Sequence, residues 1–220
     1  MVILVLSCDK NTDLFQPFYH CIEKYWVNHP EVIYKTETIQ NPYYRTLCAG
    51  YPMDKWTVGV REVLQQIQDT QILLMMDDCF IRDYVDTNRL RYLENQLNGN
   101  IACFNFEKAF ADTDEETTVI GFKRRKHGER WEVSLMCGLW DRDKLLTVLS
   151  EDCSPWDIET KRNNYGFDFY INSAGYIIDW GYRYGKPVGI MKGKWSREIV
   201  PFFEREGITV DYSVRGFYEI

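Results

Sequence analysis

The chain has 220 residues, of which 45% are hydrophobic and 27% charged, enough apolar material for one full-sized core or two small ones. Its 26 basic residues are outnumbered by 33 acidic ones, and the net charge of −7 argues against a nucleic-acid partner. Seven cysteines without a C-x-x-C pair or metal-ligand spacing indicate free thiols in a reducing compartment. No apolar run is long enough for a signal peptide or a membrane span, so we expect a cytoplasmic protein, with a place at the inner face of the membrane left open.

Two aliphatic runs in the first half of the chain are typical of buried strands. The first, Val2–Leu6, is the pattern of a strand buried on both faces in a parallel sheet, and Asp9 lies just past its carboxyl end. Residues 56–67 carry apolar side chains at helical spacing, which predicts a helix with one apolar stripe toward the sheet. The second run, residues 72–76, is closed by two adjacent aspartates. The first part of the chain is therefore predicted to form a strand, a helix and a second strand that ends in two acidic residues.

The rest of the chain continues the alternation, with its most loop-like interruption at residues 112–118. We predict helices over residues 89–97 and 144–149, strands over 101–106 and 131–135, a helix start at Ser154, and a short helix over 201–206 ended by Gly207. No repeat or linker appears. The predicted fold class is α/β, as a single domain over residues 1–220 with a mainly parallel, mixed central sheet flanked by helices.

Asp9 and the pair Asp77 and Asp78 fall at the carboxyl ends of predicted strands, where open α/β sheets bind ligands. Two adjacent acids beside an apolar run repel each other, so their negative charge is costly unless it is neutralised. A bound Mg²⁺ or Mn²⁺ relieves that cost, because hard divalent cations prefer carboxylate and phosphate oxygens. Such a cation would also bridge the two phosphates of a diphosphate ligand. In the alternative, Asp77 caps the strand and Asp78 pairs with a surface cation.

The stretch from Lys55 through residue 81 resembles glycosyltransferases of the GT-A fold, in which a helix precedes an apolar strand that ends in a D-x-D-type acidic motif. The resemblance extends to residues 2–9 as the first nucleotide-binding strand, to 138–141 and 154–159 as acceptor-side segments of bacterial polysaccharide-building members, and to 185–187 and 192–195 as the segment that closes near the diphosphate. It implies a GT-A-like, Rossmann-like domain with a nucleotide-binding half over residues 1–106 and an acceptor-binding half over residues 119–220.

The acidic motif departs from the strict family pattern. Cys79 and Phe80 follow the two aspartates, so the third place of a D-x-D motif has no carboxylate. The resemblance implies Asp78 as the direct ligand of Mn²⁺ or Mg²⁺ and Asp77 as a sugar or ribose contact. Asp9 is expected to contribute to the nucleotide site.

An inverting transferase of this kind needs a general base that takes the proton of the attacking acceptor hydroxyl. Asp157 and Glu159 are the candidates. Asp157 stands at the third position of a helix, where it satisfies free N–H groups, and that duty lowers its pKa. Glu159 follows Trp156 by three residues, so the two can form an acceptor platform with a base beside it, to which Trp140 is expected to add. The alternative, with Trp156 in the core and Glu159 in solvent, stays open.

Basic residues can stabilise the leaving diphosphate. The candidates are Lys192, Lys194 and Arg197 on one side and Lys55 or Arg45 on the other, although each is singly more often a solvated charge. The densest basic run, residues 123–127, is most simply an exposed turn. A second interpretation is contact with the phosphates of a lipid-linked acceptor or with the anionic membrane face.

The sequence favours a glycosyltransferase that moves a hexose from a nucleotide-sugar, a UDP-sugar, to a saccharide acceptor in bacterial surface polysaccharide synthesis, with inversion. A sugar-phosphate nucleotidyltransferase is the enzymatic alternative, but the segment after the first strand, residues 8–13, lacks the glycine-rich loop of that class. A non-catalytic saccharide-binding module can use the aromatic residues, which make up 15% of the chain. Such a module has no need for two acids at the end of a buried strand.

Overall fold

The computed structural model describes residues 1–108, 114–161, 164–181 and 189–219. The strands in these ranges are β1 Val2–Leu6, β2 Val32–Thr36, β3 Arg45–Cys48, β4 Gln71–Met76, β5 Ile101–Lys108, β6 Glu115–Glu116, β7 Phe122–Arg124, β8 Gly138–Asp141, β9 Asp168–Asn172, β10 Ile190–Met191 and β11 Lys194–Trp195. The α-helices are α1 Phe15–Tyr25, α2 Trp56–Leu64, α3 Thr87–Gln96, α4 Arg142–Val148, α5 Pro155–Thr160 and α6 Val200–Glu206. Short 3₁₀ helices include Asp9–Leu14, Met53–Lys55 and Tyr212–Val214.

Nine of these strands form one sheet in the order β3-β2-β1-β4-β8-β5-β9-β7-β6. The first four strands are parallel, and β1 pairs with β4 so that Val2 faces Ile72 and Leu6 faces Met76. Within the described ranges only β7 and β8 run against the other strands of this sheet. The predicted fold class, α/β with a mainly parallel, mixed sheet flanked by helices, is confirmed.

Strand β8 connects the two parts of the sheet. It lies antiparallel between β4 and β5, with Gly138 facing Leu74 on one side and Asn105 on the other. Gly138 has no room for a side chain, because a Cβ would lie 3.0 Å from the carbonyl oxygen of Phe104. The carboxyl ends of β4 and β5 are therefore separated by the start of one strand. The division into halves at 1–106 and 119–220 stays a prediction.

Each face of the sheet is covered by its own hydrophobic cluster. On one face, Phe18 of α1, Leu93 of α3 and Phe203 of α6 pack over the strands. On the other face, Val63 of α2 and Leu145 of α4 do the same, joined by Ile158 of α5. A sheet covered on both faces explains why β1 and β4 read as continuous apolar runs rather than as alternating ones.

The predicted strand over residues 131–135 is wrong. The segment has no regular structure, and Trp131 takes a left-handed φ of 68°. Its backbone donors bond to α5 rather than to a strand, since the N–H of Trp131 donates to the carbonyl of Glu159 and the N–H of Leu135 donates to the Glu159 carboxylate. The alternation of apolar residues reflects Val133 and Leu135 turning into the core one at a time.

The predicted helix start at Ser154 and helix end at Gly207 are confirmed, and the other predicted helices are present with bounds that differ by one to three residues. Ser154 and Asp157 form a capping box at the start of α5, and Gly207 ends α6 in the left-handed conformation. The stretch at residues 112–118 is not all loop in its described part, because Glu115–Glu116 pairs with β7. No helix within the described ranges has the length and apolar character needed to span a bilayer.

Gly59 fixes how closely α2 approaches the sheet. A Cβ at this position would lie 2.8 Å from the carbonyl oxygen of Ala49, a backbone atom that cannot move away cheaply. We expect Gly59→Ala to lower the free energy of unfolding, because overpacking costs about 1–3 kcal/mol and outweighs the gain in helix propensity of up to about 1 kcal/mol. Thermal and urea unfolding measure this change. Gly175→Ala, where nothing lies within 4 Å, is the matched control; a Gly59 variant as stable as the wild type would contradict the expectation.

Candidate active site

The acid pair lies where the sequence predicts it, directly after β4 at the carboxyl edge of the sheet. Asp77 continues the strand pairing, because its N–H donates to the carbonyl of Leu6. Its carboxylate is buried and accepts hydrogen bonds from the Ser7 hydroxyl at 2.6 Å and from the Asn11 amide at 2.8 Å. Ser7 and Asn11 both follow β1, so the end of β1 holds the acid that ends β4.

Negative charge on the pair is costly. Burial, together with repulsion from Asp78, raises the pKa of Asp77 to about 7, against the opposing effect of its hydrogen bonds from Ser7 and Asn11. Burial raises the pKa of Asp78 to about 6. Among the described residues, no other residue donates a hydrogen bond to the Asp78 carboxylate that would offset this cost. Protons or a bound cation are therefore favoured here.

Arg215 is the cation that faces this edge, and the sequence analysis did not find it. It follows the 3₁₀ helix Tyr212–Val214 and bonds to Asp13 at 2.5 and 2.7 Å and to the Asn11 side-chain oxygen at 2.8 Å. Its positive charge lowers the pKa values of Asp77 and Asp78, against the stronger effect of their burial. No motif signals Arg215, because its position depends on the carboxyl-terminal segment folding back onto the turn after β1.

Asp9 shapes the loop after β2. Its two oxygens accept hydrogen bonds from the backbone N–H groups of Glu37, Thr38 and Ile39 and from the Thr38 hydroxyl. Although burial opposes the effect, these bonds hold the pKa of Asp9 well below its usual range. The carboxylate thus has a structural duty, and its contact with a nucleotide stays a prediction.

A second pair of carboxylates lies at the carboxyl end of β5. The Ser134 hydroxyl donates to Glu107 at 2.8 Å, and the neighbouring N–H of Leu135 donates to Glu159 at 2.8 Å. Burial, with a contribution from the charge of Glu107, raises the pKa of Glu159. Both glutamates are only half-buried, so they retain a path to solvent. Because β8 alone separates β4 from β5, Glu107 and the aspartates stand at the ends of strands about 10 Å apart, twice the usual strand spacing. Glu159 approaches Glu107 from α5.

Asp157 and Glu159 differ as the sequence analysis expects. The hydroxyl and backbone N–H of Ser154 donate to the Asp157 carboxylate and lower its pKa. Glu159 also has a structural contact, because its carboxylate accepts a hydrogen bond from the Leu135 N–H. Glu107 was missed because its partner, Ser134, lies on the segment predicted as a strand.

The two tryptophans of the predicted acceptor platform lie in different environments. Trp156, on the first turn of α5, is 58% exposed, so the alternative that places it in the core does not apply. Trp140 requires a correction, because it is fully buried on β8 and packs edge-on against Phe169. An indole enclosed between two packed layers has no face for a saccharide, and we do not carry Trp140 forward as an acceptor contact.

The predicted phosphate-binding cations are all exposed but lie on different elements. Lys55 ends the 3₁₀ helix before α2 and is exposed, as is Arg45, which pairs with Glu31. Lys192 lies at the turn between β10 and β11, with its ammonium 5.6 Å from the centre of the Tyr218 ring. The remaining candidates, Lys194 and Arg197, are also exposed. Residues 185–187 of the predicted closing segment lie outside the described residues.

The basic run at residues 123–127 is neutralised by acids. The ion pairs join Lys123 to Glu116, Arg124 to Glu115 and Asp168, Arg125 to Asp114, Lys126 to Glu129 and His127 to Glu132. The run was expected to form an exposed turn, but its first two residues belong to β7. With each cation paired, this surface offers little net charge to a membrane or a lipid phosphate.

The acid pair suits a hard divalent cation in the chemistry of its donors. Two carboxylates at an edge that also faces a guanidinium leave room in the coordination of Mg²⁺ or Mn²⁺ for phosphate oxygens and water. The Asp78 carboxylate adjoins the buried Asp77 and accepts no hydrogen bond from another described side chain, and this arrangement is the observation that supports such a cation. No group of three or more His, Cys, Asp or Glu side chains in the described part of the chain could hold a metal by itself.

Comparisons with known proteins give likeness of fold. No protein-family model matches the sequence, and no curated protein matches it. One similar solved structure is the bifunctional IspDF from Campylobacter jejuni, with 11% identity and a TM-score of 0.49 over 80% of this chain and 50% of that one. A second is a nucleotidyl transferase from Methanothermobacter thermautotroptrophicus, with 11% identity and a TM-score of 0.47 over 80% of this chain and 88% of that one. Another is the galactosyltransferase LgtC in complex with donor and acceptor sugar analogues, with 10% identity and a TM-score of 0.44 over 78% of this chain and 73% of that one. The chain thus spans half the length of the first of these chains.

The raised pKa of Asp77 predicts a pH-dependent stability. The folded state holds its proton up to about pH 7, whereas the unfolded chain releases it near pH 4, so stability falls as pH rises between these values. We expect Asp77→Asn, which keeps the hydrogen-bond acceptor without the charge, to unfold at a higher temperature than the wild type at pH 8. It should also lose less stability than the wild type from pH 5 to pH 8, although Asp78, whose pKa is raised as well, still ionises in this range. Thermal unfolding at both pH values measures this, with the exposed Asp54→Asn as control. Equal slopes for the wild type and the Asp77 variant would contradict the prediction.

Proposed function

We propose that this protein is a glycosyltransferase that moves a hexose from a UDP-sugar to a saccharide acceptor with inversion, in the building of a bacterial surface polysaccharide. One observation supports it above the others. A single edge of the sheet carries the acid pair Asp77 and Asp78 with a facing guanidinium. Two strands away it carries the carboxylate of Glu107, beside Glu159, whose pKa is raised. The first set suits a nucleoside diphosphate and the second suits a hydroxyl that must lose its proton.

In the proposed donor site, Asp78 is the ligand of Mn²⁺ or Mg²⁺ and Asp77 contacts the ribose or the sugar. When bound, the cation neutralises charge that develops on the diphosphate. Arg215 is proposed to contact the same phosphates together with Lys192 and Lys194, which flank Gly193, whose carbonyl accepts a hydrogen bond from Arg215. Lys55 is proposed as a further phosphate contact. The bond from the sugar carbon to the phosphate oxygen breaks here, and the nucleoside diphosphate leaves with the electron pair.

In the proposed acceptor site, Glu159 takes the proton of the attacking hydroxyl. A base is most effective when its pKa lies near the working pH, and burial beside Glu107 moves the pKa of Glu159 in that direction. The exposed ring of Trp156 offers a flat apolar face for the acceptor sugar. Asp157 is unsuitable as a base, because its bonds from Ser154 lower its pKa.

The reaction is proposed to take place in the cytoplasm, with an acceptor that is a free or lipid-linked saccharide. Contact with the inner face of the membrane would have to use a surface other than residues 123–127, whose cations are paired.

The donor site is tested by thermal shift with UDP, GDP and CMP, each with and without Mn²⁺. We expect UDP with Mn²⁺ to give the largest rise, because a ligand that binds only the folded state stabilises it by mass action. Asp78→Ala should remove the metal-dependent part of the UDP shift, whereas Asp54→Ala should keep it. An unchanged shift in a folded Asp78 variant would contradict the metal role. Release of pyrophosphate from UTP and a sugar phosphate would instead indicate a nucleotidyltransferase.

The base is tested by two isosteric substitutions on one helix. We expect Glu159→Gln to keep UDP affinity and to lower kcat by about 10²- to 10⁴-fold, because the amide cannot accept the proton. Asp157→Asn should retain kcat and lower the unfolding temperature slightly, since Asn still accepts the capping-box hydrogen bond from Ser154 but lacks the favourable charge. UDP release from a UDP-hexose with a saccharide acceptor measures kcat for both variants, and thermal unfolding measures their stability. Normal turnover by the Glu159 variant would show that the base lies elsewhere, and a folded but inactive Asp157 variant would reverse the two assignments.

A further inference from the structure

The side chain of Ser134 serves two glutamates at the carboxyl end of β5. Its hydroxyl donates a hydrogen bond to Glu107 at 2.8 Å, and it also lies within hydrogen-bonding reach of Glu159. The next residue, Leu135, donates its backbone N–H to Glu159 at 2.8 Å. Adjacent residues of one irregular segment therefore hold both acids, and the serine connects them.

One hydroxyl cannot donate to both carboxylates at once. A serine has a single proton to donate, while its oxygen has two lone pairs that accept. The proton of Ser134 goes to Glu107, and one lone pair accepts the N–H of Met136 at 3.3 Å. The second lone pair can accept a bond from Glu159 only when that carboxyl carries a proton. A hydrogen bond to the ionised form of an acid lowers its pKa and one to the protonated form raises it, so the direction of the serine bond decides which form of Glu159 is favoured.

The structure around Glu107 holds it where it receives the serine proton. Its backbone N–H donates to the side-chain oxygen of Asn105 at 2.8 Å, and the amide of Asn105 donates to the Ser134 carbonyl at 3.4 Å. Asn105 is buried and ties the end of β5 to the irregular segment. Two thiols feel the charge of Glu107, those of Cys103 and Cys137, and both stay neutral because burial raises their pKa well above its ordinary value.

The other charged groups described around this serine have partners of their own. A small cavity beside Ser134 is also lined by Arg125 and Glu132. Arg125 pairs with Asp114 at 3.6 Å, and Glu132 bonds to His127 at 2.8 Å. The charged neighbours of Glu159 on α5 are bound as well, Asp157 to Ser154 and Lys161 to Glu151. Glu107 is therefore the charged group that acts on Glu159 both directly and through the hydroxyl.

We propose that Glu107 is a positioning residue for Glu159: by accepting the Ser134 proton, it leaves the serine oxygen to accept a hydrogen bond from Glu159 once that carboxyl is protonated. In the transfer step the O–H bond of the attacking hydroxyl breaks and its proton passes to Glu159. The new carboxyl O–H then donates to Ser134, and Glu107 keeps its negative charge. The role of Glu159 as the base rests on the proposed function, whereas the coupling of the two acids through Ser134 does not.

The test compares Glu107→Gln with Glu107→Met, each in the wild-type chain and in Ser134→Ala. Both substitutions remove the charge, but only Gln keeps an oxygen that accepts the serine proton. NMR of protein labelled with ¹³C at the glutamate carboxyls follows the titration of Glu159, whose signal is identified by its loss in Glu159→Gln. The control is Glu116→Gln, at an exposed residue that pairs with Lys123, and it should leave this titration unchanged.

We expect Glu107→Gln to move the titration of Glu159 about one pH unit lower, because a like charge nearby has been removed. Glu107→Met should move it lower again, since the Ser134 hydroxyl then turns to donate to the ionised Glu159. In the Ser134→Ala chain the two substitutions should have equal effects, because the hydroxyl that distinguishes them is absent. The acid limb of the kcat profile for UDP release should move in the same direction as the titration.

Equal titrations of Glu159 in Glu107→Gln and Glu107→Met would overturn the role of Glu107, as would a difference between them that persists in Ser134→Ala. Normal turnover by Glu159→Gln with loss of turnover in Glu107→Gln would make Glu107 the base and would also overturn it. If Glu107→Met does not fold, Glu107→Ala is measured against the same criteria. The expected titrations in a chain that releases no UDP would refute the proposed function and leave the coupling through Ser134 standing.

Discussion

Burying two adjacent carboxylates at the end of β4 is the constraint that shapes the surrounding structure. Asp77 is held by Ser7 and Asn11 from the turn after β1, and Arg215 comes from the far end of the chain to face the same edge. These contacts tie the first turn and the carboxyl-terminal segment to one point. They do not remove the cost of the charge, because the pKa values of both aspartates remain raised. A site that stays short of positive charge after folding is ready to accept it from a ligand, and this lack is the physical basis of the proposed cation and diphosphate.

The sheet order places a second, different carboxylate pair near the first. Since β8 runs backward between β4 and β5, their two carboxyl ends open on one edge, and the irregular segment before β8 passes beside that edge. Ser134 and Leu135 of this segment bond to Glu107 and Glu159. This irregular segment thus positions the side chains of Glu107 and Glu159. A catalytic division into a phosphate side and a proton-accepting side needs this kind of separation.

The sequence predicts most of the fold where one physical rule acts alone. Strands β1 and β4 are recognisable because burial on both faces demands continuous apolar runs, and α5 because its capping box is local to four residues. The rule that alternating apolar residues indicate a strand fails at residues 131–135, where the alternation comes from single side chains that enter the core. Trp140 looks like a ligand contact in sequence but is a core residue, since strand burial is decided by neighbours far along the chain. Arg215 and Glu107 were missed for the same reason: each gains its significance from a partner that only the fold supplies.

The central claim is that the edge formed by Asp77, Asp78 and Arg215 binds the diphosphate of a nucleotide with a divalent cation. The most direct measurement is a crystal structure of the protein with UDP and Mn²⁺, in which anomalous scattering locates the metal. The account predicts a manganese peak beside the Asp78 carboxylate, with the diphosphate between the metal and Arg215. Ordered UDP at any other edge or face of the sheet, or a manganese ion bound away from Asp78, would contradict it.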